Sequence, residues 1–182
     1  MIILGLDPGS RLTGFGLVKK NGNHATHVEN GTLYAAQIEN YPERLAYLWQ
    51  SVQELIRKYG VDEVAVENIF YHKNPKSVQK LGEVRGVLMA SAASLGKPVY
   101  EYTALQVKQA VTGYGKAEKG QIQMMVRKLL NLRDLAEENA SDALGIALCH
   151  AHQNRPLRFK GSGDCGSLTE AQELLKKASF YR

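Results

Sequence analysis

The spacing of apolar residues changes partway along the chain, and this change constrains the fold more than any other feature. Near the start, three short segments have strand-like composition and spacing: Ile2–Leu6, Thr13–Val18 and His27–Tyr34. Turn-forming residues separate them, with Asp7-Pro8-Gly9 after the first segment and Asn21-Gly22 after the second. Three consecutive strands joined by short turns predict an antiparallel meander.

Helical spacing follows the meander. Leu45, Leu48, Val52 and Ile56 recur at the spacing of one helix face, and Gly60 marks the end of that helix. The remaining segments predict strands at Glu63–Glu67 and Pro98–Tyr100, and helices at Ser77–Leu95, Ala104–Val111, Lys119–Leu130 and Asn139–His152. Consecutive strands followed by alternating strands and helices predict an α/β fold, with a mixed five-stranded sheet flanked by helices.

Length and composition are those of one globular domain with a tail. The chain has 182 residues, of which 44% are hydrophobic and 23% charged. We expect a domain over residues 1–155 and a Gly/Ser-rich tail over 156–182, flexible apart from one short helix. No apolar run is long enough to span a membrane, and the N-terminus lacks the features of a signal peptide, so we expect a cytoplasmic protein with no membrane partner. Cys149 and Cys165 have no metal-binding spacing and are expected to be free thiols.

The positive charge is concentrated in the middle of the chain. The whole chain has a net charge of +5, but residues 73–128 hold ten lysines and arginines against three glutamates, a net charge of +7. A basic region of this kind is typical of proteins that bind a polyanion such as a nucleic acid, although solvated helix faces would look the same.

Three acids are placed where the ends of the predicted elements should meet. Asp7 follows the first strand, Glu67 ends the fourth, and Asp142 lies in the first turn of the last helix. Clustered carboxylates repel one another unless a cation lies between them, and hard oxygen ligands suit Mg²⁺ or Mn²⁺. Each acid also has an ordinary explanation, as a turn cap, a solvated strand end and a partner of the helix dipole.

Sequence motifs narrow these alternatives. The segment Asp7–Gly14 reads DxGxxxxG, which resembles the opening of the ribonuclease H-like superfamily and also that of actin-like ATPases and sugar kinases. Three later segments, Val64–Val87, Tyr102–Ile122 and Glu138–His152, closely resemble the RuvC family of bacterial Holliday junction resolvases. The resemblance extends from Ile2 to His152 and implies a ribonuclease H-like fold.

The resemblance implies a specific activity. Members of this family are homodimeric, metal-dependent endonucleases that nick two opposed strands of a four-way DNA junction symmetrically. The nicks leave 5′-phosphate and 3′-hydroxyl ends. The resemblance further implies two Mg²⁺ ions in each active site, with Mn²⁺ as a substitute, and cooperation with the RuvA and RuvB branch-migration complex.

Motif matches also assign roles to individual residues. Asp7, Glu67 and Asp142 match metal ligands of the family, and Lys108 and Lys119 match basic residues near the scissile phosphate. Phe70 matches an aromatic residue that intrudes at the junction. The chemistry of the neighbouring residues extends this surface, because aromatic rings stack on bases and cations bind phosphates. The predicted DNA-binding residues are Phe70, Tyr71, Lys73, Lys76, Lys80, Arg85 and Lys116.

The chain departs from the family pattern at Asn139. The family has an acid or a histidine there, three residues before the aspartate that Asp142 matches. An amide oxygen can ligate a hard cation but brings no negative charge, so we expect weaker metal binding and slower cleavage with DNA binding retained. Glu138 lies about 100° around the helix and is a poor substitute. It remains open whether Asn139 is native or was introduced to trap an uncleaved complex. It also remains open whether the chain binds junctions without cutting them.

The predicted helix Ser77–Leu95 is the candidate dimer interface, because its centre is rich in small residues that allow close approach. Burial of this helix in the core of its own domain is the alternative. Two other functions remain open. An actin-like ATPase or sugar kinase would share the first motif, and another ribonuclease H-like nuclease would act on RNA or on other structured DNA.

Overall fold

A computed structural model describes residues 1–68 and 75–153, with side chains described from residue 77 onwards in the second segment. Its elements in chain order are β1 (Ile2–Asp7), β2 (Leu12–Asn21), β3 (His24–Tyr34), a 3-10 turn (Ala35–Gln37), α1 (Tyr41–Tyr59), β4 (Glu63–Glu67), α2 (Pro75–Ser94), β5 (Val99–Tyr102), α3 (Ala104–Thr112), α4 (Lys119–Leu129) and α5 (Glu138–His152). The predicted positions of Phe70, Tyr71, Lys73, the Lys76 side chain and the tail lie outside the described residues. No helix in the described ranges is long and apolar enough to cross a membrane.

The sheet has five strands in the order β3-β2-β1-β4-β5. The first three form the predicted antiparallel meander, while β4 and β5 join it in parallel. The predicted mixed sheet is therefore confirmed. Strands β2 and β3 are longer than their apolar segments predict, because their backbone ladder continues to the pair Asn21 and His24 beside the turn at Gly22. Backbone hydrogen bonds do not require apolar side chains.

Helices cover both faces of the sheet. One apolar core lies between the sheet and α1 and α2, and includes Leu48, Val52 and Leu88. The other lies between the sheet and α3, α4 and α5, and includes Val107, Ile122 and Leu144. The second core places α5 against the middle of the sheet, where eleven of its fifteen residues are buried.

Glycines allow α5 to approach the sheet closely. Gly5 on β1 pairs with Gly16 on β2. A Cβ at Gly5 would lie 2.8 Å from the Ala147 nitrogen, and a Cβ at Gly16 would lie 2.6 Å from the Leu144 nitrogen. Since no side chain fits there, the α5 backbone packs directly on two neighbouring strands.

Local sequence explains where the helices begin and end. The Asn40 side chain caps α1 by accepting a hydrogen bond from the Glu43 amide, and Gly60 ends it in the left-handed conformation at φ 61°. Thr103 and Gln106 form a capping box at the start of α3. These caps fix the chain on either side of β4 and β5, whose ends border the site.

Candidate active site

Asp7, Glu67 and Asp142 line one cavity. Asp7 ends β1 and Glu67 ends β4. The two strands are adjacent and parallel, and Leu6 pairs with Val66 directly before the two acids. Asp142 lies in α5, which the glycine contacts bring against β1 and β2. The cavity has a volume of about 340 Å³ and is lined by Asp7, Glu67, Ala104, Val107, Lys108, Lys119, Ile122, Asp142 and Ile146. Acids separated by up to 135 positions in the chain therefore meet where the sequence predicts.

The loop that follows Asp7 is held in place by hydrogen bonds. The Arg44 guanidinium donates to the carbonyl oxygens of Ser10 at 3.3 Å and Ile38 at 2.6 Å. The Thr13 hydroxyl donates to the Gly9 carbonyl at 2.8 Å. These contacts join the loop to α1 and β2, so Asp7 leaves β1 in a defined direction.

Burial and mutual repulsion make the carboxylates hard to ionise together. Burial, with the charges of Glu67 and Asp142, raises the pKa of Asp7 to about 8. Burial also raises the pKa of Glu67, although the hydrogen bond from Asp7 opposes that rise. The pKa of Asp142 is raised by burial, against the charge of Lys119. At neutral pH Asp7 therefore carries the proton that it donates to Glu67.

A cation could replace that proton. Carboxylate oxygens are the donors that hard divalent ions prefer, and the repulsion that raises the pKa of Asp7 would be relieved by positive charge in the cavity. Within residues 1–68 and 75–153, no three Asp, Glu, His or Cys side chains already stand close enough to form a complete ligand cluster. The donor set thus fits a metal ion in its chemistry, while the carboxylates would have to draw closer around it.

Asn139 lies beside this cavity. It precedes Asp142 by one turn of α5 and packs over Gly14, where a Cβ would lie 3.2 Å from the Asn139 Cβ. Gly14 is the strand partner of Asp7, so residue 139 lies over the position on β2 that neighbours the first acid. The Asn139 side chain is half-buried and is not among the residues that line the cavity.

Two lysines line the cavity, as the resemblance implies. Lys108 comes from α3 and Lys119 from the start of α4. The charges of both lysines oppose the rise in the pKa of Glu67. Lys119 also forms an ion pair with Glu138, which raises its pKa. Sequence reasoning set Glu138 aside as a poor metal ligand and missed this pairing.

The other basic residues predicted to bind DNA, as far as the structure describes them, do not line the cavity. Lys80 is exposed on α2, with its Nζ 5.5 Å from the centre of the Tyr41 ring. Arg85 forms an ion pair with Glu101 on β5. Lys116 is exposed in the loop between α3 and α4. Arg85 is thus engaged within the domain, and its predicted contact with DNA stays a prediction, as do those of the two lysines.

A largely buried network that the sequence did not indicate lies about two turns of α5 beyond Asp142. His150 Nδ1 lies 2.6 Å from the Tyr102 hydroxyl, and His150 Nε2 lies 2.6 Å from Glu63 Oε2. Burial lowers the pKa of His150, so the ring is neutral and one nitrogen accepts while the other donates. Asp142, Ile146 and His150 follow one another at four-residue spacing on α5, which places them on one helix face but does not indicate Tyr102 or Glu63 as partners.

Comparison with known proteins agrees with this architecture. Residues 3–150 match the family model described as crossover junction endodeoxyribonuclease RuvC. A RuvC protein of Citrifermentans bemidjiense is 51% identical over 152 residues, which cover 84% of this chain and 93% of that protein.

Solved structures are similar as well. The Thermus thermophilus RuvC structure is 32% identical, with a TM-score of 0.78, and the match covers 86% of this chain and 100% of that one. A T. thermophilus RuvC structure in complex with a Holliday junction substrate is 30% identical, with a TM-score of 0.81, covering 87% and 99%. These matches confirm the ribonuclease H-like fold and do not favour the ATPase and kinase alternatives. The chain belongs to the RuvC family of crossover junction endodeoxyribonucleases.

Proposed function

We propose that this chain resolves four-way DNA junctions by hydrolysing one phosphodiester bond in each of two opposed strands, at the cavity lined by Asp7, Glu67 and Asp142. The observation that carries this proposal is the meeting of three desolvated carboxylates and two lysines from five elements in one open cavity. The family supports the activity, and the junction-bound T. thermophilus RuvC supports the substrate.

Divalent metal ions are the cofactors that this donor set supports. Asp7, Glu67 and Asp142 would hold them, with the Asn139 amide oxygen as a neutral contributor after a change of side-chain rotamer. We infer Mg²⁺, with Mn²⁺ as a substitute, and two ions in each site. Two such ions would supply an activated water nucleophile and stabilise the leaving oxygen, which gives 5′-phosphate and 3′-hydroxyl ends.

The charged and the apolar side chains that line the cavity have different roles in the reaction. Lys108 and Lys119 offset the negative charge that accumulates on the phosphate during attack. The apolar wall of Val107, Ile122 and Ile146 keeps water away from one side of the acids, which strengthens every charge interaction inside the cavity. Asp7 must release its proton before it can ligate a cation, so activity should rise with pH.

The proposed active form is a homodimer that joins through α2. Core residues Val84, Leu88 and Ala92 occupy one side of this helix, and an exposed stripe on it consists of the small residues Gly82, Gly86, Ala90 and Ala93. No neighbouring atoms lie within 4 Å of a Cβ built at Gly82 or Gly86. A shallow groove of about 410 Å³ is lined by Gly86, Met89, Ala90, Ala93, Lys97, Pro98 and Val99. A second copy fits this face because two identical sites would then meet opposed strands of a two-fold symmetric junction.

Several further features belong to this proposal. The exposed lysines Lys80 and Lys116 and the residues Phe70, Tyr71, Lys73 and Lys76 would contact DNA, together with Arg85 if it leaves Glu101. The proposal also includes cooperation with RuvA and RuvB, which the family supports, and a cytoplasmic location and a nuclease domain of residues 1–155 followed by a C-terminal tail, which the sequence supports.

The test is nicking of a mobile four-way junction with Mg²⁺ or Mn²⁺ by this chain and by Asn139→Asp. We expect symmetric nicks from both, with faster cleavage and tighter metal binding by the variant, because it adds one negative charge beside Asp7. Asp7→Asn is the inactive control and should still bind the junction. Failure of both active forms to bind a junction in preference to duplex DNA would overturn the proposal. Cleavage by the variant alone would show that Asn139 disables the enzyme.

A further inference from the structure

An exposed apolar patch borders the carboxylate cavity. Leu105 is 55% exposed and Tyr114 is 49% exposed, although both are large and apolar. Leu105 follows Ala104, which lines the cavity, and precedes Lys108 by one turn of α3. Gly115 packs against Leu105 so closely that a Cβ there would collide with the Leu105 side chain. Leu105 therefore lies against the loop that carries Tyr114, and we call the surface of Leu105, Tyr114 and Gly115 the 105/114 ridge.

Hydrogen bonds hold Tyr114 in place while its ring stays exposed. Its hydroxyl donates to Gln121 Oε1 on α4 at 3.0 Å. The Thr112 hydroxyl donates to the Tyr114 carbonyl at 2.8 Å, and Gly113 takes the left-handed conformation, with φ 82°, that turns the chain there. The same Gln121 oxygen accepts from the Glu118 amide, so the loop is tied to the start of α4. An aromatic ring that is fixed before a ligand arrives loses little entropy on binding.

Three lysines lie near the ridge. Lys108 and Lys119 line the adjacent cavity, and Lys116 is exposed two residues after Tyr114. A ring beside several phosphate-binding cations is the arrangement that single-stranded nucleic acids require, because cations track the backbone while aromatic rings stack on bases. The charge pattern therefore favours a nucleotide over an apolar protein segment as the occupant.

We propose that the 105/114 ridge is a stacking platform for the nucleobase next to the phosphate that is cut. This inference rests on the proposed function, because it takes the cavity as the site of the scissile phosphate. The Tyr114 ring stacks on the base, and Leu105 on α3 extends the apolar surface beside the loop that carries the ring. Stacking tolerates any base, so the ridge supplies affinity and holds the strand in register without reading sequence.

The test combines changes in the protein with changes in the DNA. Junction affinity is measured by fluorescence anisotropy with the metal chelated, for wild type, Tyr114→Ala and Tyr114→Phe. The junctions carry an abasic site at each position flanking the cut in turn. We expect Tyr114→Ala and one abasic position each to weaken binding by about 5-fold, and the two together to weaken it no further than either alone. Tyr114→Phe keeps the ring but loses the hydrogen bond to Gln121, so its binding should be weakened much less than that of Tyr114→Ala.

A matched control separates stacking from loss of exposed apolar surface. Leu135→Ala removes a side chain that is 53% exposed in the loop before α5, and it should leave binding to every junction unchanged. If Tyr114→Ala weakens binding equally for intact and abasic junctions, the residue only shapes the loop and the inference is wrong. If wild type does not prefer junctions to duplex DNA, the proposed function itself has failed.

Discussion

At the scale of single residues, the proton on Asp7 determines how the site responds to pH. The raised pKa of about 8 means that the folded protein without metal holds a proton that the unfolded chain releases near pH 4. Folding therefore favours the protonated, uncharged form of Asp7. Its stabilising effect is fully present below the unfolded pKa and is lost as the pH rises through the folded pKa.

Asp7→Asn should therefore stabilise the metal-free protein increasingly as the pH rises. With the metal chelated, we expect the Tm of the variant relative to wild type to increase between pH 5 and pH 9, by roughly 3 °C or more. Thermal unfolding at several pH values measures this difference. Asp134→Asn, on an exposed loop, is the control and should show no such trend. A constant difference for Asp7→Asn would mean that burial and repulsion do not perturb this carboxyl.

The ion pair between Lys119 and Glu138 makes Lys119 less available to a phosphate. Both side chains are largely exposed, so the pair adds little to stability. We expect Glu138→Gln to tighten junction binding by about 2- to 3-fold and to steepen its dependence on salt, since one more cation can neutralise a phosphate.

Anisotropy titrations over a range of salt concentrations check this expectation. Glu54→Gln removes the same charge from an exposed position on α1 and is the matched control. Equal effects of the two variants would indicate a general change in net charge and would argue against release of Lys119.

At the scale of elements, Asp142 is held in place because α5 packs directly on the backbone of β1 and β2. We expect Gly16→Ala to destabilise the fold by about 1–3 kcal/mol, because its Cβ would lie 2.6 Å from the Leu144 nitrogen and α5 would have to move. Cleavage should fall with it, since the same movement displaces Asp142 from Asp7.

Urea unfolding and single-turnover nicking measure these two effects. Gly120→Ala is the control, because a Cβ at that helical glycine meets nothing within 4 Å and should leave the protein as stable or more so. Unchanged unfolding and cleavage in Gly16→Ala would show that α5 tolerates a larger separation from the sheet.

The sequence indicates those elements whose signals are local. Helix α1 follows from its apolar stripe and from Gly60, and the meeting of Asp7 with Glu67 follows from the ends of two parallel strands. The glycine contacts with α5 could not be predicted, because Gly5 and Gly16 gain meaning only when the helix that covers them is known. The same holds for the network of His150, Tyr102 and Glu63, whose members are up to 87 residues apart.

The sequence also did not indicate which acidic residues pair with the basic ones. Arg85 is predicted to contact DNA because it lies in a basic region, and Lys119 is predicted to lie near the scissile phosphate from its motif match; each also pairs with a glutamate within the domain. A count of charges along the chain does not show which of them neutralise one another in space, and that pairing is set by the packing of α2 on β5 and of α4 beside α5.

At the scale of the whole molecule, the exposed small-residue face of α2 should govern assembly. Ala90→Arg places a long charged side chain in the groove and should convert a dimer into a monomer, as light scattering after gel filtration would show. On a cruciform plasmid, we expect nicked circles in place of linear product, because the two cuts would no longer be coupled.

Met124→Arg, at a position on α4 that is 67% exposed, is the control and should leave the mass unchanged. A wild-type chain that is already monomeric at working concentration, or an Ala90→Arg variant that remains dimeric, would place the interface elsewhere.

The late position of α5 in the chain has a consequence for the order of synthesis. Asp7 and Glu67 leave the ribosome early, but Asp142 and the backbone that seats on Gly5 and Gly16 come from the last element that the structure describes. A nascent chain therefore lacks one wall of the cavity, and the core that α3, α4 and α5 form on one face of the sheet stays incomplete until that last helix emerges. The three acids therefore come together only after the last helix that the structure describes has packed onto the sheet.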